Sequence, residues 1–152
     1  MIIFDLDGTL ADCEHRRHFV DHGNKFEPDW KSFYEHCDKD KPIEPVIDIF
    51  NSLCETHLMS NISIWSGRCE SVRDKTLNWL SNHIDVDNIQ EVKLRPIGDS
   101  TPDDMLKERW LDEALKAGNK VHFVFDDGPK VVRMWRRRGI FVFDCNQSGK
   151  EF

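Results

Sequence analysis

Asp5 and Asp7 stand one residue apart at the end of the apolar run Ile2-Ile3-Phe4 and lead straight into Gly8-Thr9. Two like charges at that spacing repel and pull each other's pKa values apart. A fold accepts the pair most readily when a cation or a reacting group occupies the space between them. Gly8 lets the backbone turn sharply and approach a ligand, and Thr9 offers a hydroxyl and an amide where a phosphate oxygen could sit. A bare Asp-x-Asp is common at strand ends. The strand-forming lead and the Gly-Thr continuation single this one out.

The rest of the pattern supplies the scaffold for these acids. Four more short apolar runs, Ile62 to Trp65, Glu91 to Leu94, Val121 to Phe125 and Ile140 to Phe143, alternate with helical stretches. Such alternation predicts an α/β fold, a doubly wound and mostly parallel sheet with ligands beyond the carboxyl ends of its strands. Pro45 opens a helix whose face carries Val46, Ile49, Phe50 and Leu53. Cys69 to His83 carries a similar stripe, Val72, Thr76, Trp79, Leu80 and His83. Thr101-Pro102-Asp103-Asp104 reads as an N-cap, a first-turn proline and two acids at the positive helix end, with Gly118 closing that helix. Pro129 to Arg138 is the last helix, stopped by Gly139, and its Arg136-Arg137-Arg138 run suits a helix C-terminus. Residues 11 to about 41 interrupt the alternation and read as a mainly helical insertion above the active edge, within a single domain spanning 1–152.

Composition narrows the possibilities further. The chain has 152 residues, a net charge of -7 and a pI near 5.4. That acidity argues against a general nucleic-acid or membrane binder, because non-specific phosphate affinity needs basic surface. No apolar run is long enough for a bilayer and the apolar start is too short for a signal peptide, so a cytoplasmic protein is expected. Cys13, Cys37, Cys54, Cys69 and Cys145 form no Cys-x-x-Cys pair and predict reduced, mostly structural thiols. No obligate protein partner is evident.

The strand ends bear, in turn, Asp5-Leu6-Asp7, Ser66-Gly67-Arg68, Arg95, and Asp126-Asp127-Gly128. Acid, hydroxyl, guanidinium and acid again at one sheet edge suggest a site for a phosphate and a metal ion. Asp5-x-Asp7-Gly8-Thr9, Ser66, Lys107 and Asp126-Asp127 together resemble the four-motif pattern of the haloacid dehalogenase (HAD) superfamily of phosphohydrolases, over nearly the whole chain. A narrower likeness is to the phosphatase half of bacteriophage-type polynucleotide kinase-phosphatases. It rests on Ser66-Gly67-Arg68, Arg95-x-x-Gly98-Asp99, Asp103-Asp104-x-x-Lys107-Glu108, Asp126-Asp127 followed by Val131-Val132-x-Met134-Trp135-Arg136-Arg137-x-Gly139, and Ser148-Gly149-x-x-Phe152. The chain departs from that pattern at Gly128-Pro129-Lys130, where the family carries a bulkier polar turn. No Gly-x-x-x-x-Gly-Lys-Ser/Thr phosphate loop occurs and the first strand starts at Met1, so a fused kinase is not expected.

The resemblance implies a Rossmann-like core and a division of labour. Asp5 would attack phosphorus and form an aspartyl-phosphate. Asp7, its pKa lifted by its neighbour, would protonate the leaving oxygen and later deprotonate water. Mg²⁺ would be held by Asp5, the Asp7 backbone carbonyl and one or both of Asp126 and Asp127. Ser66 and Lys107 would hold phosphoryl oxygens, and Thr9, Gly67, Arg68 and Arg95 would help bind substrate, although Arg68 and Arg95 could instead pair with acids such as those at 103 and 104. From the insertion, Arg16 and Arg17, flanked by His15 and His18, could meet a phosphate while Trp30, Phe33 or Tyr34 stacks on a base. The substrate so implied is the 3′-phosphate of a polynucleotide end. The alternatives are a 5′(3′)-nucleotidase of free mononucleotides or other small esters, and a receiver-like module that takes phosphate without turning it over.

Overall fold

Residues Ile2–Phe4 form β1, the middle strand of a parallel sheet, in a computed structural model that describes residues 1–21, 27–56 and 61–149. The other strands are β2 (Ala11–Asp12), β3 (Lys41–Pro42), β4 (Ile62–Cys69), β5 (Ile89–Arg95), β6 (Phe123–Asp126) and β7 (Phe141–Asp144). The helices are α1 (Trp30–Glu35), α2 (Glu44–Glu55), α3 (Arg73–His83), α4 (Asp103–Lys116) and α5 (Pro129–Arg137). The main sheet runs β5-β4-β1-β6-β7 with every pairing parallel.

Alternation along β1 explains why both sheet faces are covered. Ile3 joins a core with Leu106, Trp110 and Leu111 of α4 and Val131, Val132 and Trp135 of α5. Ile2 and Phe4 point the other way, onto Ile47 and Phe50 of α2 and Trp79 and Leu80 of α3. Successive strand side chains face opposite sides, and each such burial stabilises the fold by about 2 kcal/mol. The doubly wound α/β architecture expected from the sequence is the one observed. Among the described residues, no helix is long and apolar enough to cross a membrane. All five cysteines are free thiols.

Four details differ from the sequence reading. The second main-sheet strand does not end at Trp65 but continues to Cys69, with its register against β5 breaking between Trp65 and Cys69. Such a break twists a strand and re-aims its side chains, here Ser66, Gly67 and Arg68. The helix expected from Cys69 therefore starts only at Arg73, after a 3₁₀ turn over Glu70–Val72. Ahead of α4, Pro102 rather than Thr101 takes the N-cap position, where its ring offers no acceptor for a cap bond, and Arg95 Nη1 donates to the Thr101 carbonyl just before it. Finally, the segment after β1 is closed by a small antiparallel ribbon, Ala11 opposite Pro42 and Asp12 opposite Lys41. Its two-residue strands are too short to show a period in the sequence. Between them lie a 3₁₀ segment (Glu14–Phe19), α1 and a second 3₁₀ turn (Cys37–Lys39). The closing motif expected at 148–152 is described only to Gly149, so Phe152 lies outside the described residues.

Candidate active site

The chain passes from β1 outward to β4 and β5 and then returns to β6 on the other side of β1, so the loops after β1 and β6 meet where the winding reverses. This is where open α/β sheets bind ligands. Asp5 N donates to Phe125 O at 2.9 Å, fixing the two strand ends side by side. Carboxylate oxygens of Asp5, Asp126 and Asp127 then all lie within 4.8 Å of one another.

Lys107 closes this cluster from α4. Its Nζ lies 2.9 Å from Asp5 Oδ1 and 2.9 Å from Asp126 Oδ2, with only 1% of its side chain exposed. Asp126 also accepts from Trp135 Nε1 (3.2 Å) on its Oδ2 and from Gly128 N (3.0 Å) on its Oδ1. A charged amine so deeply buried is held because two carboxylates outweigh the desolvation that opposes it, and its pKa is raised. Asp5 goes the other way: burial, reinforced by Asp126 and Asp127 and only partly offset by Lys107, raises its carboxyl well above the usual range. Burial and then Asp126 push Asp127 up to about 7. One ammonium does not balance three carboxylates, and a divalent cation is the natural complement of the excess. The oxygen-only donor set suits a hard ion such as Mg²⁺.

Thr9 and Gly8 fix the third carboxylate. Thr9 Oγ1 donates to Asp127 Oδ1 at 3.1 Å, and a Cβ on Gly8, whose φ is 86°, would fall 2.0 Å from Asp127 Oδ2. Gly8→Ala is therefore expected to displace Asp127 as well as strain the backbone. We expect a stability loss of about 1–3 kcal/mol and weaker metal binding. Thermal melts and a Mg²⁺ titration of activity check this, and an unchanged Mg²⁺ midpoint would refute the packing role of Gly8.

Asp7 occupies a different environment. Its Oδ1 accepts from Arg16 Nη2 (2.6 Å) and from Arg68 Nε (2.8 Å) and Nη2 (2.5 Å). Behind it Asp40, buried, accepts from the same guanidiniums, Arg16 Nε (2.7 Å) on Oδ1 and Arg16 Nη2 (2.6 Å) and Arg68 Nη2 (2.5 Å) on Oδ2. His15 Nε2 lies 2.8 Å from Asp40 Oδ1. The Arg16 guanidinium stacks 4.2 Å from the Phe33 ring centroid and donates to Phe33 O.

This network corrects several expectations. Burial alone would raise the Asp7 pKa, but Arg68 and then Arg16 outweigh it, so the value is lowered rather than lifted. Arg16 and Arg68 do not form a substrate face: both are fully buried and committed to Asp7 and Asp40. Arg17 pairs with Glu14 at 3.5 Å instead of meeting the cleft. Thr9 spends its hydroxyl on Asp127 and its amide on Leu6 O (3.2 Å), leaving neither for phosphate. Arg95 follows its other reading, donating to Gly67 O (3.0 Å), Thr101 O and the Asp103 carboxylate. The Asp7 carboxylate faces the arginines and is not one of the clustered metal-type oxygens.

A cleft of about 590 Å³ opens over these groups, lined by Asp5, Asp7, Lys107, Asp126 and Asp127 at its base and by Trp30, Tyr34 and Gly67 on its wall. Tyr34 OH donates to Gly67 O (3.2 Å), and a Cβ on Gly67 would fall 2.3 Å from Asp103 Oδ1, so these residues seal one side. Ser66 lies at the same strand end, buried, with its Oγ accepting from Arg68 N at 3.2 Å. Two site residues go beyond those the sequence points to. Trp135 falls within the Met134-Trp135 pattern and is legible there only as core; nothing around Asp40 marks it in the sequence.

Sheet, switch point and clustered acids define a phosphatase of the HAD type. More closely, the chain belongs to the family described as polynucleotide kinase PNKP phosphatase domain, whose model matches residues 1–149. The receiver-like alternative is thereby set aside. A protein of Autographa californica nuclear polyhedrosis virus, provisionally described as a bifunctional polynucleotide kinase/RNA ligase, is 28% identical over 99% of this chain. A chain of a solved Pnkp1/Rnl/Hen1 complex superposes with a TM-score of 0.73 at 26% identity over 94% of this chain. A haloacid dehalogenase-like hydrolase of Streptococcus pneumoniae shares the fold, with a TM-score of 0.59 at 15% identity over 94% of this chain and 82% of its own. The chain spans 20% of the viral relative and 44% of the complex's chain.

Proposed function

We propose that this domain removes the 3′-phosphate from a polynucleotide end. The observation that carries the reading is the convergence of Asp5, Asp126, Asp127 and Lys107 at the base of a cleft whose wall bears a half-exposed tryptophan, Trp30. Asp5, Asp126 and Asp127 would hold Mg²⁺, with the Asp7 backbone carbonyl as a further donor. When bound, Mg²⁺ neutralises carboxylate charge and polarises a phosphoryl oxygen.

A carboxylate oxygen of Asp5 attacks phosphorus and the ester P–O bond breaks, the departing hydroxyl oxygen taking a proton from Asp7. Water then attacks the phospho-aspartate, gives its proton to Asp7 and releases phosphate with the Asp5 carboxylate restored. The depressed pKa of Asp7 favours the base half of this cycle, and its Oδ2, which accepts none of the arginine bonds, is the oxygen left for that work. Lys107 and the Ser66 hydroxyl supply donors for phosphoryl oxygens. The segment between β2 and β3 acts as a cap, with the Trp30 ring, packed on Tyr34 at 5.9 Å between centroids, as a platform for a base.

The nucleotidase reading keeps one supporting observation: of the acids along the cleft, Asp99 and Asp103 are paired with Arg109 and Arg95, but Asp104 has no ion-pair partner among the described residues and repels a long polyanion. One experiment tests both. A 3′-phosphorylated oligonucleotide should lose phosphate with Mg²⁺, lose none with EDTA, and do so with higher kcat/KM than a nucleoside monophosphate. Equal kcat/KM for the two substrates would instead support the nucleotidase.

A further inference from the structure

The cleft has few cations with which to hold a polyanion, and their commitments single one out. Lys107 is engaged by Asp5 and Asp126, and Arg95 by Asp103 and the carbonyls of Gly67 and Thr101. Lys130, exposed on the first turn of α5, lines the same cleft and has no ion-pair or hydrogen-bond partner among the described residues. The strand order separates it from the acids after β5, while Asp126 and Asp127 stand on its own side at the base of the cleft. Lys130 follows β6 on one side of β1, whereas Asp99, Asp103 and Asp104 follow β5 on the other. A chain of phosphodiesters leaving the cleft over the β5 side meets Asp104 and the already paired carboxylates of Asp99 and Asp103, and over the β6 side it meets a free ammonium.

We propose that Lys130 is the subsite for the internucleotide phosphate next to the scissile one, and that it sets the preference for polynucleotide ends over free nucleotides. The inference rests on the polynucleotide reading above and adds the residue and the exit direction. An ammonium suits this task because it binds phosphate as a point charge and reads no base, which fits a polynucleotide end of any sequence. The acidic flank contributes by the opposite sign: Asp104 penalises the β5 exit and favours the β6 side.

Steady-state kinetics on a nucleoside 3′-monophosphate and a 3′-phosphorylated tetranucleotide test this, with Lys130→Ala, Lys130→Glu and Lys130→Arg. The wild type should prefer the tetranucleotide. Lys130→Ala should lower that preference about five- to tenfold through KM, Lys130→Glu should lower it further, and Lys130→Arg should retain it. The salt dependence of tetranucleotide binding should also become shallower in Lys130→Ala. A wild type with no preference for length overturns the substrate reading and this assignment with it. A preference that survives Lys130→Ala and Lys130→Glu, or a loss equal on both substrates, overturns the assignment of Lys130 alone.

Discussion

Asp5→Asn is expected to lower phosphate release by at least about a thousandfold while leaving the fold intact or firmer. The rate loss follows from removing the proposed nucleophile: an amide oxygen would not form the proposed aspartyl-phosphate, and about 4 kcal/mol of barrier lowering would disappear with it. The stability gain follows from the site's electrostatics. Burial and the neighbouring acids raise the Asp5 pKa above its unfolded value. A carboxyl so shifted stabilises the fold fully only below its unfolded pKa of about 4, and that contribution is lost as pH rises through the folded value. At pH 7.5 without metal the wild type carries this penalty and Asp5→Asn does not, whereas near pH 3.5 the two converge. Lys107 keeps Asp126 as its partner in the variant. Melting curves in EDTA at the two pH values, beside a phosphate-release assay, check both halves. Full activity in Asp5→Asn would remove this residue from the chemistry. A variant that melts below the wild type at pH 7.5 would mean the Lys107 contact outweighs the crowding.

The second large effect is expected at Arg16, which touches no cleft surface. Arg16→Met leaves Asp7 to Arg68 and Asp40 to Arg68 and His15, and removes the guanidinium donor to the Phe33 carbonyl. Removing one member of a buried charged network costs about 3–5 kcal/mol, which lowers the Tm of a chain this size by about 10 °C. Activity should fall as well, since Asp7 loses one of the two guanidiniums that hold its Oδ1. Pairing Arg16→Met with Asp40→Leu separates the roles, because exchanging a buried ion pair for apolar residues is often neutral. The double variant should recover much of the Tm yet remain slow. Recovery of both would make Arg16 purely structural, and a single variant that melts with the wild type would sink the network argument.

These two residues also mark how far the sequence could be read. Asp5, Asp126 and Asp127 were legible because each ends a short apolar run, and an acid at the mouth of a buried strand has few explanations. Lys107 is legible only through the family resemblance, since an isolated helix lysine is ordinarily solvated. Arg16 and Asp40 were not legible as a pair: they lie 24 positions apart, on either side of α1, and meet only after the ribbon β2-β3 closes. That closure turned a basic cluster, which reads as a phosphate grip, into a brace for Asp7. The same holds for Thr9 and Arg95, whose donors were readable but whose acceptors depend on loops brought together in three dimensions. Trp135 read as core, and it is, yet its indole N–H also orients Asp126.

The central position of β1 has a consequence for how the molecule is made. Ile2 pairs with Ile62 on one side and with Phe123 on the other, so the strand that delivers Asp5 waits for partners roughly sixty and one hundred and twenty positions downstream. During synthesis this apolar segment keeps one edge unpaired until most of the chain has emerged, and such long-range parallel pairing is slow. Catalytic competence should arrive abruptly and last, when β6 docks, and ribosome-stalled chains that stop short of residue 123 should be protease-sensitive along their whole length.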